Sequence, residues 1–185
     1  MTNTGKASEI NSFVQWFASH PHSHKVMIAG NHDVTLDERY YANSWKRFHT
    51  ERCNNLIHEE ASDGFVAPPT SARALFYASG SGITALENSG VCIRGLNFWG
   101  SPFSPEFCNW SHSVERGEPA AELWKQIPLG THVLLTHGPP VGYGDAVGQR
   151  RTGDVSGHVL EANVSHTHFC NKLCMLICFG KCARV

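Results

Sequence analysis

The spacing of the hydrophobic residues near the N-terminus changes from a helical period to that of a buried strand. Between Ser8 and Ser19, apolar residues recur every three or four positions, which is the spacing of one face of an α-helix. Ser8 is the predicted N-cap of this helix, and Pro21 is predicted to end it. The residues from Val26 to Ile28 are then continuously apolar, which predicts a strand buried on both faces, as in a parallel sheet.

The rest of the chain continues to mix the two patterns. The further predicted elements are a helix over Asp37–Cys53, a polar loop over Asn54–Pro69, a hairpin of Ile83–Leu86 and Val91–Trp99 joined at Asn88–Gly90, an ordered aromatic loop over Gly100–Gly117, a helix over Glu118–Gln126 and a buried strand over Thr131–Thr136. A helix, a short loop and a buried strand form half of a βαβ unit. The pattern therefore predicts an α/β fold.

Both predicted buried strands run directly into residues that can bind metals or move protons. The first ends at Gly30, where the backbone can turn sharply, and Asn31, His32 and Asp33 follow at once. The last buried strand runs into His137 in the same way. In open α/β sheets, ligands bind just beyond the carboxyl ends of strands, so both clusters are placed for chemistry. The alternative is an ordinary turn, since turns favour Gly, Asn and Asp.

Composition narrows the kind of partner that the chain can have. The 185 residues carry a formal net charge of −1, so no large basic field points to nucleic acid or to a membrane surface. No apolar run reaches the roughly 18 residues of a transmembrane helix. Residues 1–9 lack the apolar core of a signal peptide, so we expect a cytoplasmic protein with thiols and not disulfides. The oligomeric state stays open.

The sequence changes character after about Gly153. We therefore predict a main domain over residues 1–153 and a divergent Cys/His-rich tail over residues 154–185. Four of the seven cysteines recur at every fourth position in the tail: Cys170, Cys174, Cys178 and Cys182. With His166 and His168 nearby they are candidate zinc ligands. A single helix cannot wrap four ligands around one ion, so an incidental Cys-rich tail is the favoured interpretation.

Two motifs at the predicted strand ends carry a family resemblance. Gly-Asn-His-Asp at Gly30–Asp33 and Thr-His-Gly-Pro-Pro at Thr136–Pro140 together resemble the calcineurin-like metallophosphoesterases. The segments AGNHDVTLD, RGLNFWGSP, WKQIP and LLTHGPPVGYGD are similar to one branch of it, the metallophosphoesterase domain-containing, cyclic-nucleotide phosphodiesterase-like proteins. The similarity extends from about Ser8 to Gly153.

The resemblance implies a fold and a set of roles. The implied fold is a β-sandwich flanked by helices, with two metals at strand ends. Asn31 and His137 would be metal ligands, His32 would donate a proton to the leaving oxygen, and Asp33 would orient His32. The mixed oxygen and imidazole ligands suit Mn, Fe or Zn better than Ca. Two ions about 3.5–4 Å apart can stabilise both the attacking and the leaving oxygen.

Other parts of the family pattern are missing from this sequence. The family has an Asp-x-His and a Gly-Asp upstream of Gly30, and here no Asp precedes Asp33. A late Gly-His-x-His is represented by Gly157-His158 alone. We therefore expect an incomplete fold whose first strand or strands are absent, an unpaired edge on the first observed strand, and a poor metal site. His158 is an alternative to these missing ligands, but not the favoured one.

The function implied by the resemblance is metal-dependent hydrolysis of a small phosphoester or nucleotide, with a phosphodiester as the favoured substrate class. One alternative is a non-catalytic fragment or binding protein that retains the scaffold. Another is a zinc-binding tail on that scaffold. The sequence does not distinguish the natural substrate or the identity of the metal.

Overall fold

The structure is a computed structural model, and it describes residues 1–50, 56–57, 70–77, 82–139, 146–147, 150–151, 168–170 and 177–178. The described helices are α1 (Ala7–Ala18), α2 (Glu38–Ser44), α3 (Ala72–Tyr77) and α4 (Glu118–Trp124), and Trp45–Arg47 forms a 3₁₀ turn. The strands are β1 (Lys25–Ile28), β2 (Leu56–Ile57), β3 (Thr70–Ser71), β4 (Ile83–Leu86), β5 (Ser89–Ile93), β6 (Leu96–Ser101), β7 (Ser104–Pro105), β8 (Ser113–Val114), β9 (Val133–Thr136), β10 (Ala146–Val147), β11 (Arg150–Arg151), β12 (His168–Cys170) and β13 (Ile177–Cys178). The predicted α/β fold is confirmed.

Two larger sheets carry the strands whose ends were predicted to hold the chemistry. One sheet has the order β13-β1-β4 and the other has the order β12-β9-β6-β5. β1 pairs in parallel with β4, and β9 pairs in parallel with both β6 and β12. Three short pairs, β2–β3, β7–β8 and β10–β11, lie outside these sheets.

The two sheets pack face to face, and helices cover their outer faces. The core between the sheets contains Val26, Ile28, Leu86, Ile93, Phe98 and Leu135. Outside the first sheet, the cluster with α1 and α3 contains Ile10, Phe17, Met27, Ala29, Leu36, Phe76 and Ile83. Outside the second sheet, α4 and its C-terminal turn contribute Ala120, Trp124 and Ile127 against Leu134. Since Val26 and Ile28 enter one core and Met27 enters the other, the three apolar residues of β1 are buried, as the apolar run predicted.

The helix boundaries differ from the prediction at two places. α1 begins at Ala7, and the Glu9 carboxylate accepts the backbone N–H of Lys6 at 3.1 Å, so Ser8 is not the N-cap. The predicted helix over 37–53 ends as α2 at Ser44 and continues only as the 3₁₀ turn, with residues 51–53 outside the described residues. The predicted loop over 54–69 contains β2 and otherwise lies outside them.

The predicted hairpin has the wrong strands and the wrong turn. Ile83–Leu86 pairs with β1, in the other sheet, and the hairpin joins β5 to β6. Its two-residue turn is Arg94–Gly95, with φ of 52° and 80°. Two positive φ values match the twist of a hairpin, and Asn-Gly is the usual sequence signal for them. Arg-Gly lacks that signal at its first position.

The edge of β1 opposite β4 is paired over its first half. Lys25 and Val26 of β1 pair antiparallel with Cys178 and Ile177. The expectation of an unpaired edge is therefore wrong for the first two residues of β1. The division at residue 153 stays a prediction.

Gly100 is needed for the close approach of the two sheets. A Cβ at this position would lie 2.5 Å from Cβ of Leu86 and 2.8 Å from Cγ2 of Ile28. We expect Gly100→Ala to lower the free energy of unfolding by about 1–3 kcal/mol, because an overpacked core must shift its side chains or backbone. Urea unfolding followed by circular dichroism measures this loss. Gly117→Ala is the comparison variant: Gly117 has open space around it but a φ of 92°, so its loss of stability measures backbone strain without crowding. An unchanged unfolding midpoint for Gly100→Ala would contradict this account of the sheet packing.

Candidate metal centre

Asp33 shapes the turn that follows β1. Its side chain is fully buried, and its Oδ2 accepts the backbone N–H of Gly30 at 2.8 Å. Its Oδ1 accepts the hydroxyl of Thr2 at 2.8 Å and the backbone N–H of Thr2 at 3.1 Å. The backbone N–H of Asp33 in turn donates to the carbonyl of Gly30 at 3.0 Å. These bonds close the turn and fix the direction in which Asn31 and His32 leave it.

The two predicted metal ligands meet at this turn. Nε2 of His137 lies 2.8 Å from Oδ1 of Asn31, although the residues are 106 positions apart. His137 is placed by β9 and Asn31 by β1, so the two sheets each contribute one side chain. Gly30 makes room for the imidazole, because a Cβ there would lie 2.7 Å from Cε1 of His137. Nδ1 of His137 is buried, and no residue in the described part of the chain forms a hydrogen bond with it.

Nε2 of His137 and Oδ1 of Asn31 are at hydrogen-bonding distance, and since an amide oxygen can only accept, Nε2–H of His137 donates to Asn31. They are also the two atoms that the resemblance predicts as metal ligands. Among the residues that the structure describes, no group of three or more His, Cys, Asp or Glu side chains could hold a metal ion. Asn31 and His137 are thus the two predicted ligands that converge, and they do not belong to a larger His, Cys, Asp or Glu cluster among the described residues. The predicted Cys/His site in the tail falls largely outside the described ranges.

His32 lies beside these ligands but turns to different partners. Its side chain is exposed, and its Nδ1 lies 2.9 Å from the carbonyl oxygen of Asn3. The Trp110 ring packs against the imidazole with the ring centroids 4.2 Å apart. The Asp33 carboxylate accepts hydrogen bonds from Gly30 and Thr2, and its orientation of His32 stays a prediction.

A cavity of about 280 Å³ opens over this group. It is lined by residues 1–3, the turn Gly30–Asp33 and His137. The cavity therefore brings together all four predicted site residues. Their roles as ligands, acid and orienting carboxylate stay predictions.

The loop that precedes β8 was missed as part of the site. Ser111 donates its hydroxyl to the backbone carbonyl of Asn31 at 2.7 Å. His112 is 1% exposed, and its backbone N–H donates to Oδ2 of Asp37 at 2.9 Å. Neither ring nitrogen of His112 has a hydrogen bond of good geometry to any residue that the structure describes. The Gly30 carbonyl is close enough to favour the charged form weakly. The sequence gave no signal that this loop lies against the turn after β1, because the contacting residues are about 80 positions apart.

Burial favours the neutral form of the two inner histidines, His137 and His112. Desolvation lowers the pKa of His137, and the Asp33 carboxylate opposes this only in part. Desolvation also lowers the pKa of His112 against the opposing effect of Asp37. A neutral imidazole is the form that binds a metal, so this environment favours ligation by His137.

Residues 1–170 match the family model of the calcineurin-like phosphoesterases. The chain belongs to this family. The resemblance inferred from the strand-end motifs is therefore confirmed, and so is the fold of calcineurin-like type. Calcineurin-like phosphoesterases are hydrolases that generally bind divalent metal ions.

Curated relatives of this calcineurin-like chain give the same assignment. Human metallophosphoesterase domain-containing protein 1 is 33% identical over 147 residues, which are 79% of this chain and 42% of the human protein. The mouse protein of the same name gives the same values. A UPF0046 protein of Caenorhabditis elegans is 33% identical over 152 residues, or 82% of this chain and 46% of the worm protein. The chain spans less than half the length of these relatives. No helix among the described residues has the length and apolar character needed to cross a bilayer.

Proposed function

We propose that this chain takes part in metal-dependent hydrolysis of a small phosphoester, with a phosphodiester or nucleotide as the substrate class. The observation that supports this most directly is the convergence of Asn31 and His137, 2.8 Å apart, on the floor of a cavity that also exposes His32. Mn, Fe or Zn is the proposed metal, because an amide oxygen and an imidazole form a mixed ligand pair. In the family two such ions act together.

The proposed roles follow from where each side chain lies. Bound divalent ions supply Lewis-acid stabilisation of the phosphoryl oxygens and an activated water. Asn31 Oδ1 and His137 Nε2 would hold one ion. His32 protonates the leaving oxygen from Nε2, because the carbonyl of Asn3 already accepts the proton on Nδ1. Asp33 keeps the turn rigid, so that the proposed ligand Asn31 and the proposed acid His32 keep a fixed position relative to each other.

A second candidate is a non-catalytic or binding role on the same scaffold. It is favoured by one observation, namely that the described residues bring only Asn31 and His137 together as ligands. Both candidates share the metal contact, so metal binding and turnover must be measured separately.

We predict that removing the imidazole of His137 weakens site-specific metal binding. Calorimetric titration with Mn²⁺ or Zn²⁺ is performed on the full chain and on His137→Ala, and Asn31→Ala is the second variant. His22→Ala is the matched control, because His22 lies in the loop before β1, at the opposite end of that strand. We expect binding to weaken about 10- to 100-fold or more in both site variants and to stay unchanged in the control. Equal metal binding in the full chain and in His137→Ala would overturn the proposal.

Turnover of bis(4-nitrophenyl) phosphate with added Mn²⁺ then separates the two candidates. Metal-dependent hydrolysis that is lost in His137→Ala supports the enzyme. Metal binding at Asn31 and His137 without any turnover supports the non-catalytic scaffold.

A further inference from the structure

The imidazole of His32 is held on two sides. Its Nδ1 lies 2.9 Å from the Asn3 carbonyl oxygen, and a carbonyl can only accept, so Nδ1 must carry the proton. The Trp110 ring covers one face, with the centroids 4.2 Å apart and the planes inclined by 32°. The hydrogen bond fixes one nitrogen, and the indole fixes the plane of the ring. Nε2 is left available to a molecule in the cavity.

Trp110 and the loop that carries it are held in place by Arg47 and Phe48. The Arg47 guanidinium donates to the carbonyls of Cys108 and Asn109 and lies 5.5 Å from the centroid of the Trp110 ring. Phe48 packs on the same indole at 5.1 Å. Cys108 and Asn109 have φ of 55° and 51°, an uncommon conformation for residues other than glycine. Such backbone conformations persist where the surrounding contacts hold them, and those contacts here aim Trp110 at His32.

We propose that Trp110 is a positioning residue that sets the orientation of His32 as the proton donor, which rests on the proposed hydrolysis. In the step concerned, the Nε2–H bond of the imidazolium breaks and an O–H bond forms on the leaving oxygen, whose bond to phosphorus breaks. The neutral imidazole that remains is the Nδ1–H tautomer, the form that the Asn3 carbonyl holds. Trp110 touches neither the substrate nor the ion in this scheme.

The first test measures which nitrogen of the His32 ring carries the proton, and it does not depend on catalytic activity. The full, metal-free chain is labelled with ¹⁵N-histidine, and the His32 tautomer is measured at about pH 8.5, where an unperturbed histidine is neutral. The variants are Trp110→Leu, which keeps apolar bulk, and Trp110→Phe, which keeps an aromatic face. Trp16→Ala is the matched control, because Trp16 packs on His20 at 4.5 Å on α1. Circular dichroism verifies that each variant is folded.

We expect the Nδ1–H tautomer of His32 to dominate in the wild type, Trp110→Phe and Trp16→Ala. In Trp110→Leu its population should fall below about half, since a ring that turns freely adopts either tautomer. If Trp110→Leu does not fold, Arg47→Gln loosens the loop and should shift the same population. A dominant Nε2–H form in the wild type, or a signal unmoved by Trp110→Leu and Arg47→Gln, overturns the proposal even if the chain hydrolyses phosphodiesters.

The second test compares two substrates whose leaving groups differ in how much they depend on protonation by a general acid. Methyl 4-nitrophenyl phosphate has a good leaving group, whereas methyl phenyl phosphate depends more on protonation of the leaving oxygen. Trp110→Leu should lower kcat by about 10- to 100-fold on the phenyl ester, with less than about a 3-fold loss on the nitrophenyl ester and an unchanged KM. Metal content should not change. Equal losses on both esters would show a merely structural role. Absence of turnover in the wild type would contradict the proposed hydrolysis and leave the tautomer measurement to decide the role of Trp110.

Discussion

Replacement of His32 by Ala is expected to reduce the turnover of a phosphodiester with a poor leaving group by about 10²–10⁴-fold, while the bound metal stays. We expect this result because the neighbouring side chains of Asn31 and His32 contact different partners. Asn31 points its amide oxygen at His137, whereas Nδ1 of His32 pairs with the carbonyl of Asn3. A side chain with that partner is positioned to donate a proton from Nε2, and it is not drawn into the ligand pair.

The measurement combines metal stoichiometry with kinetics on the two methyl esters. His32→Ala should keep the metal content of the wild type and lose more on the phenyl than on the nitrophenyl ester. His20→Ala is the control, because His20 belongs to the Trp16 contact on α1. Loss of metal in His32→Ala would place His32 among the ligands. Equal turnover in both proteins would exclude it as the acid.

The strand ends were predictable because they are written locally in the sequence. An uninterrupted apolar run predicts burial on both faces, and a glycine followed by Asn, His and Asp marks the end of β1. The motif around His137 marks the end of β9 in the same way. That these two ends meet came from the family resemblance, since no local pattern relates residues 106 positions apart.

The elements and contacts that were missed depend on interactions that local patterns do not encode. The hairpin turn at Arg94–Gly95 was not recognised, because Arg is rarely found with positive φ. The partners of Asp33 come from Thr2, 31 residues away, and the Asn31 carbonyl is held by Ser111 from 80 residues away. Contacts between residues far apart in the chain produce no periodic pattern in the sequence, so these contacts could be seen only in the structure.

His112 illustrates such a residue, and its replacement should stabilise the protein. The imidazole is 1% exposed, and among the described residues neither ring nitrogen has a hydrogen bond of good geometry, the Gly30 carbonyl contributing only weakly. A buried polar group without a partner costs about 1–3 kcal/mol. Phe has a similar shape, and the Phe103 ring already packs edge-on against this side chain at 5.9 Å. We expect His112→Phe to raise the free energy of unfolding by about 1–3 kcal/mol near neutral pH.

The gain from His112→Phe should widen in acid. Burial lowers the pKa of His112 in the folded protein below its unfolded value of about 6.5. As the pH falls below that value, the unfolded chain takes up a proton before the folded chain does, so the wild type loses up to about 1.4 kcal/mol per pH unit until the folded pKa is reached. His112→Phe lacks this loss but keeps that of His137 and His49, whose pKa values burial also lowers. Urea unfolding at about pH 7 and about pH 5 measures the difference, and His22→Phe is the control at a loop histidine. A variant less stable than the wild type, or a gain that shrinks toward pH 5, would mean that the imidazole of His112 is satisfied in the folded protein.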